Sequence, residues 1–245
     1  KDFYRDIDTQ HPNINTYILE LLEYVKEHPN DKRLVFTKMR DLNKKYSITP
    51  KYSTIIYIIK RMFSMYFIPY PLFNQVMEIL KSKTCRSQSG ILEVAIMTGP
   101  GEFSCLLDCY FCPKQEGFAR SYVKEEPAVR RAAQHEFDCV RQINARISSY
   151  LSIGQPGDKG EFIILGGTFS NYSDEYRREF MRDLYYACNT YYDVIKRQRL
   201  SLEDEKDINE TALFKVIGLT VETRPDCIDE EEILRYISYG VTRVQ

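Results

Sequence analysis

The hydrophobic pattern of this 245-residue chain changes its period near residue 83, and the period decides which element a segment can form. Before that point apolar residues recur at helical spacing. Ile14, Ile18, Leu21, Leu22 and Val25 share one face, and similar patterns run over residues 34–45 and 53–65. The aromatic, proline-containing residues 66–73 read as an irregular linker, and residues 74–80 as a short helix. Beyond it come short apolar runs at 94–97, 162–165, 214–221 and 241–244, of the kind expected for buried parallel strands. Helical patterns lie between them: one over 127–150, one after Ser173, and one from near Asp229. Ser173 is a good N-cap, and the charges of Asp174 and Glu175 suit the helix dipole. Strand and helix in alternation predict an α/β fold with a parallel sheet and right-handed crossovers. The expectation is therefore a small helical domain over 1–73 followed by an α/β domain over 74–245. Residues 189–211, polar and charge-rich, read as an exposed insertion. Four strands are fewer than a closed barrel requires, and the chain stops inside its fourth strand, at Gln245, so the natural protein is expected to continue.

Composition excludes several classes. Hydrophobic residues make up 43% of the chain, ordinary for a globular core. The longest apolar stretch, residues 55–71, is broken by Lys60 and Arg61 and falls short of the ~18 residues a bilayer span needs, so no membrane role is expected. Seven cysteines, an odd number without a signal peptide, point to a reducing, cytoplasmic setting.

The net charge of -1 hides an uneven distribution. Residues 1–90 carry 15 Lys and Arg against 9 Asp and Glu, whereas the remainder carries 19 against 26. Within residues 32–90 the cations, among them Lys44, Lys45, Lys60, Arg61, Lys81, Lys83 and Arg86, face only Asp41 and Glu78. Tyr46, Tyr52, Tyr57, Phe63, Tyr66 and Tyr70 are interleaved with them. Such a segment can bind a phosphate backbone and stack on exposed bases. It can equally be a solvated helical face with aromatic residues behind it.

The strongest chemical signal is Cys105-Leu106-Leu107-Asp108-Cys109-Tyr110-Phe111-Cys112, a C-x3-C-x2-C run directly after the first strand. Three thiolates on one short loop can hold three irons of a [4Fe–4S] cluster and leave the fourth open to another ligand. The alternative is a zinc site completed by Cys85, Cys139 or His135, although zinc ligands usually come in two halves far apart in sequence. A disulfide is the weakest reading in a reducing compartment. Cys85, Cys139, Cys188 and Cys227 carry no spacing signal of their own and read as small packed residues.

With aromatic Phe111 before the third cysteine, this spacing resembles the radical S-adenosylmethionine enzymes. A narrower resemblance is carried by residues 83–91 (KTCRSQSGI), Met97-Thr98-Gly99-Pro100, Ser121-Tyr122 with Glu126-Pro127-Ala128, Gly166-Gly167-Thr168-Phe169, and Glu222-Thr223-Arg224-Pro225-Asp226. These motifs, in this order over residues 74–245, resemble the catalytic subunits of the Elongator complex, and the basic segment resembles that family's RNA-binding domain. Leu106, Leu107 and Asp108 depart from the Pro/Gly-rich residues expected between the first two cysteines, and the insertion after Asn189 is longer than expected.

The resemblance implies a partial radical S-adenosylmethionine (β/α) barrel behind the helical domain. It implies Cys105, Cys109 and Cys112 as cluster ligands, Phe111 near the adenine of S-adenosyl-L-methionine, and Gly166, Gly167 and Thr168 against its methionine part. Two glycines alone equally suit a plain tight turn. Glu222 and Arg224 would meet the cofactor or order the site; without the resemblance they read as an exposed ion pair. The implied reaction places a carboxymethyl group from acetyl-CoA on C5 of the wobble uridine, U34, of tRNA, with acetyl-CoA held by an acetyltransferase domain absent from these residues. The implied partners are tRNA and other Elongator-like subunits, and a homodimer stays open. The alternatives are a radical enzyme of another substrate class and a non-catalytic, zinc-containing RNA-binding scaffold.

Overall fold

A computed structural model describes residues 11–82, 88–99, 105, 107 and 109–245. Contacts divide the chain into two units: the described residues through Gln88 with Ser148–Pro156, and Ser89–Ile147 with Gly157–Gln245.

The first unit is helical: α1 (Ile14–Glu27), α2 (Lys32–Tyr46), α3 (Tyr52–Ser64) and α4 (Tyr70–Leu80). The predicted stripe of α1 is buried in full and meets Val35, Ile55, Ile59, Val76 and Ile79 in one apolar core. Asp31 caps α2 by accepting from Leu34 N at 3.0 Å, and Ser47 ends it in the left-handed conformation, so each end of the helix is met locally. Two expectations shift here. The chain between residues 70 and 73 is helical, because Pro71 sits in the first turn of α4, where its missing N–H costs nothing. The helical unit also runs past residue 73, because Leu72, Val76, Ile79 and Leu80 of α4 bury in its core.

The second unit carries four parallel strands in the order β1-β2-β3-β4: β1 (Leu92–Met97), β2 (Lys159–Leu165), β3 (Lys215–Val221) and β4 (Arg243–Val244). Val94 pairs Phe162, Phe162 pairs Leu219, and Val221 pairs Val244. The remaining helices are α5 (Pro127–Gln134), α6 (Cys139–Ser152), α7 (Asp174–Thr190), α8 (Leu202–Asn209) and α9 (Glu230–Tyr239). Sequential parallel strands with intervening helices are the arrangement of an incomplete (β/α) barrel, as expected. Ser173 caps α7 through Tyr176 N and Asp229 caps α9 through Glu232 N. The single helix predicted over 127–150 is two, because Glu136 and Phe137 both take positive φ, near 56°, which α-helical geometry excludes.

The insertion is tied down rather than loose. Glu205 of α8 has no exposed surface; its carboxylate takes two 2.6 Å bonds from Arg197 and one of 2.8 Å from Asn189. A second buried pair, Arg177 with Glu232, joins α7 to α9. No described helix is long and apolar enough to cross a membrane.

Candidate functional site

In an open parallel sheet the strand C-termini and the loops after them are where ligands bind, and here three such ends converge. Gln142, buried on α6, accepts from Met97 N at 2.9 Å and donates to Met97 O at 2.8 Å, which pins the end of β1 just before the cysteine loop. The ends of β2 and β3 continue into Gly166-Gly167-Thr168 and Glu222-Thr223-Arg224.

Cys105, Cys109 and Cys112 all line one cavity of about 320 Å³, together with Gly167, Thr168 and Arg224. The Arg224 guanidinium donates toward Cys109 Sγ at 3.6 Å and Cys105 Sγ at 4.0 Å. Thr168 Oγ1 donates to Cys105 Sγ at 4.0 Å. Burial on its own pushes the Cys105 thiol up, but the Leu107 backbone, Thr168 and Arg224 outweigh it and hold the thiol below its ordinary range. Cys112 Sγ donates to Ser121 Oγ at 3.8 Å, and Ser121 has a positive φ of 77°. Phe111 stands 92% exposed at the rim, edge-on to Tyr110.

Among the described residues, no group of three or more His, Cys, Asp or Glu side chains is arranged to hold a metal ion. Neither Cys139 nor His135 lines the cavity. Cys139 is buried, donating to Phe180 O at 3.6 Å, and His135 ends α5; Cys85 lies outside the described residues.

An adjoining cavity of about 390 Å³ shares Gly167, Thr168 and Arg224 and adds Tyr122 and Glu222. Glu222 and Arg224 do not pair with one another. Arg224 is held by Asp226 through two 2.8 Å bonds, whereas Glu222 Oε2 accepts from Tyr122 at 2.5 Å. Tyr122 is a site residue that sequence spacing misses, since its partner lies 100 positions away.

The two glycines meet the protein itself. A Cβ on Gly166, at φ 143°, would lie 1.8 Å from Thr98 Oγ1, and one on Gly167, at φ 83°, 3.0 Å from the Arg120 carbonyl. Gly167 faces both cavities, while Gly166 lines neither.

The basic segment is less free than its composition suggests. Lys44 and Arg61 are exposed. Lys45 pairs with Glu20 at 2.5 Å, and Lys81 lies 4.0 Å from Glu78. Lys60 Nζ donates to Leu151 O at 3.1 Å, and burial pushes its ammonium below the usual lysine range. Lys83 and Arg86 lie outside the described residues.

No family model matches the chain. It is 40% identical over 163 residues to a tRNA uridine(34) acetyltransferase of Dehalococcoides mccartyi, covering 66% of this chain and 34% of that protein. It is 38% identical over 173 residues to the tRNA uridine(34) acetyltransferase of Methanocaldococcus infernus, covering 68% and 31%. Against Homo sapiens Elongator complex protein 3 the figures are 33% over 190 residues, 71% and 33%. The chain is a homologue of the Elongator complex protein 3 family. It spans about a third of the length of these relatives. A solved structure of archaeal Methanocaldococcus infernus Elp3 with an N-terminal deletion aligns with 63% of this chain and 28% of that chain, at 32% identity and a TM-score of 0.47.

Proposed function

We propose that this chain provides the tRNA-binding and radical S-adenosylmethionine parts of an enzyme that modifies C5 of the wobble uridine of tRNA, using acetyl-CoA as the source of a carboxymethyl group. Acetyl-CoA would be held by residues outside this chain, and the name Elongator complex protein 3 supports other subunits as partners. The observation that carries the reading is that Cys105, Cys109 and Cys112 all face one cavity at the C-terminal ends of the strands, in a chain homologous to tRNA uridine(34) acetyltransferases.

The donor set fits a [4Fe–4S] cluster. A cubane takes one thiolate per iron, so its ligands ring a body wider than a single ion, as three thiols lining a common cavity do. Arg224 would offset part of their negative charge, and Thr168 and the Leu107 N–H favour the thiolate at Cys105. When bound, the cluster and S-adenosylmethionine supply the one-electron reductive cleavage that radical chemistry needs. Phe111 offers an exposed ring for an adenine to stack on, Gly167 keeps the wall open, and Glu222 presents a carboxylate to an amino group. On the helical unit, Lys44 and Arg61 are exposed and can meet phosphate. The test is anaerobic reconstitution of the full chain, followed by reductant and S-adenosylmethionine. Formation of 5′-deoxyadenosine and methionine is expected; their absence at full iron loading overturns the reading.

A further inference from the structure

Glu222 closes β3 facing a cavity, and its backbone is fixed on both sides: Phe169 N donates to its carbonyl at 2.9 Å, and its own N–H reaches Ile164 O at 3.4 Å. Its side chain is aimed by one phenol. Tyr122 donates to Oε2 at 2.5 Å, while the Gly166 backbone bonds the same phenol oxygen. Tyr122 is packed against the buried cluster of Met97, Val129 and Ala132, which holds its ring in place. Burial first, and then Glu222 itself, push the phenol far above its usual range, so it stays a donor throughout the physiological range. With Oε2 engaged, Oε1 is the oxygen left for a ligand. The nearby guanidinium of Arg224 is committed to Asp226 and the cysteine sulfurs, so it does not neutralise this carboxylate. A fixed carboxylate facing a cavity selects a charged N–H donor. The charged N–H group of S-adenosylmethionine is its α-amino group.

We infer that Tyr122 is the positioning residue that fixes Glu222 as the acceptor for the α-amino group of the bound cofactor, an inference that rests on the cofactor reading proposed above. The phenol hydrogen bonds Glu222, and Glu222 makes the contact with the amino group.

The experiment measures equilibrium binding to the reconstituted full chain of S-adenosylhomocysteine, which is not cleaved, and of its desamino analogue. Wild type should prefer the amino ligand. Tyr122→Phe keeps the ring and removes the phenol; it should weaken S-adenosylhomocysteine about tenfold, the scale of one charge-assisted hydrogen bond, and leave the desamino analogue unchanged. Glu222→Gln should produce the same loss independently, and the double variant should lose no more than either single one. Equal weakening of both ligands by Tyr122→Phe marks a packing role and overturns the inference, as does an unchanged preference in both variants. A wild-type chain that binds neither ligand overturns the cofactor reading itself and the inference with it.

Discussion

Replacing Gly166 by Ala would set a Cβ 1.8 Å from Thr98 Oγ1 and 3.1 Å from Thr98 Cβ, at a φ of 143°. Two costs follow from that geometry. A non-glycine residue in this region of backbone space costs about 1–3 kcal/mol. Thr98 must also move, and its hydroxyl is engaged with Tyr172 at 2.7 Å and with Leu165 O at 3.3 Å; loss of buried hydrogen bonds adds about 1–3 kcal/mol. The expected destabilisation is thus ~4 kcal/mol, a large share of the roughly 5–15 kcal/mol that holds a domain folded. Urea unfolding of the variant against wild type measures it. The steric part is separable, because Thr98→Ala removes the atom that is struck, so the double variant should be less destabilised than the two single ones added together, by about 1–3 kcal/mol. A Gly166→Ala protein of wild-type stability that fails only to bind S-adenosylmethionine would refute this reasoning and return Gly166 to the ligand.

Two further outcomes are expected. Glu205 is held below the ordinary glutamate range, since Arg197, Asn189 and the Leu200 N–H outweigh its burial; its folded pKa is depressed, so its stabilisation is present above the unfolded value of about 4.3 and disappears as pH falls through the folded one. Limited proteolysis between residues 191 and 201 should therefore accelerate as pH falls through the folded value, below the ordinary glutamate range, and Glu205→Gln should make that segment labile already at neutral pH; a protease pattern independent of pH in both proteins contradicts this. On the helical unit, Lys44→Ala and Arg61→Ala should each reduce the salt slope of tRNA binding by about 1, whereas Lys60→Ala should leave the slope unchanged because its ammonium is occupied by the Leu151 carbonyl; filter binding across salt concentrations distinguishes them.

Elements with a strong local pattern were legible in the sequence. The four apolar runs became four parallel strands, and Ser173 and the Asp229 region marked helix starts, since periodicity and capping are written in adjacent residues. What depended on distant partners was not. Glu205 looks like one more surface carboxylate until Arg197 and Asn189 close around it. Glu222 and Arg224 look like an ion pair, yet Tyr122 and Asp226 take them separately. The break in the 127–150 helix rests on Glu136 and Phe137, neither of which signals a positive φ. The glycine pair was legible as a turn, while the Thr98 hydroxyl that excludes a side chain at Gly166 belongs to another strand end. The cysteine spacing marked a loop whose three thiols line one cavity, but the guanidinium beside it arrives from more than a hundred residues away.

The proposed role of three thiols of this chain as ligands of an iron–sulfur cluster is tested most directly by iron, sulfide and zinc per chain after anaerobic reconstitution, for wild type and for Cys109→Ala. About four irons and four sulfides are expected in the wild type, with their loss in a variant whose folding is otherwise intact. Zinc in place of iron, or full iron retained by Cys109→Ala, would contradict it.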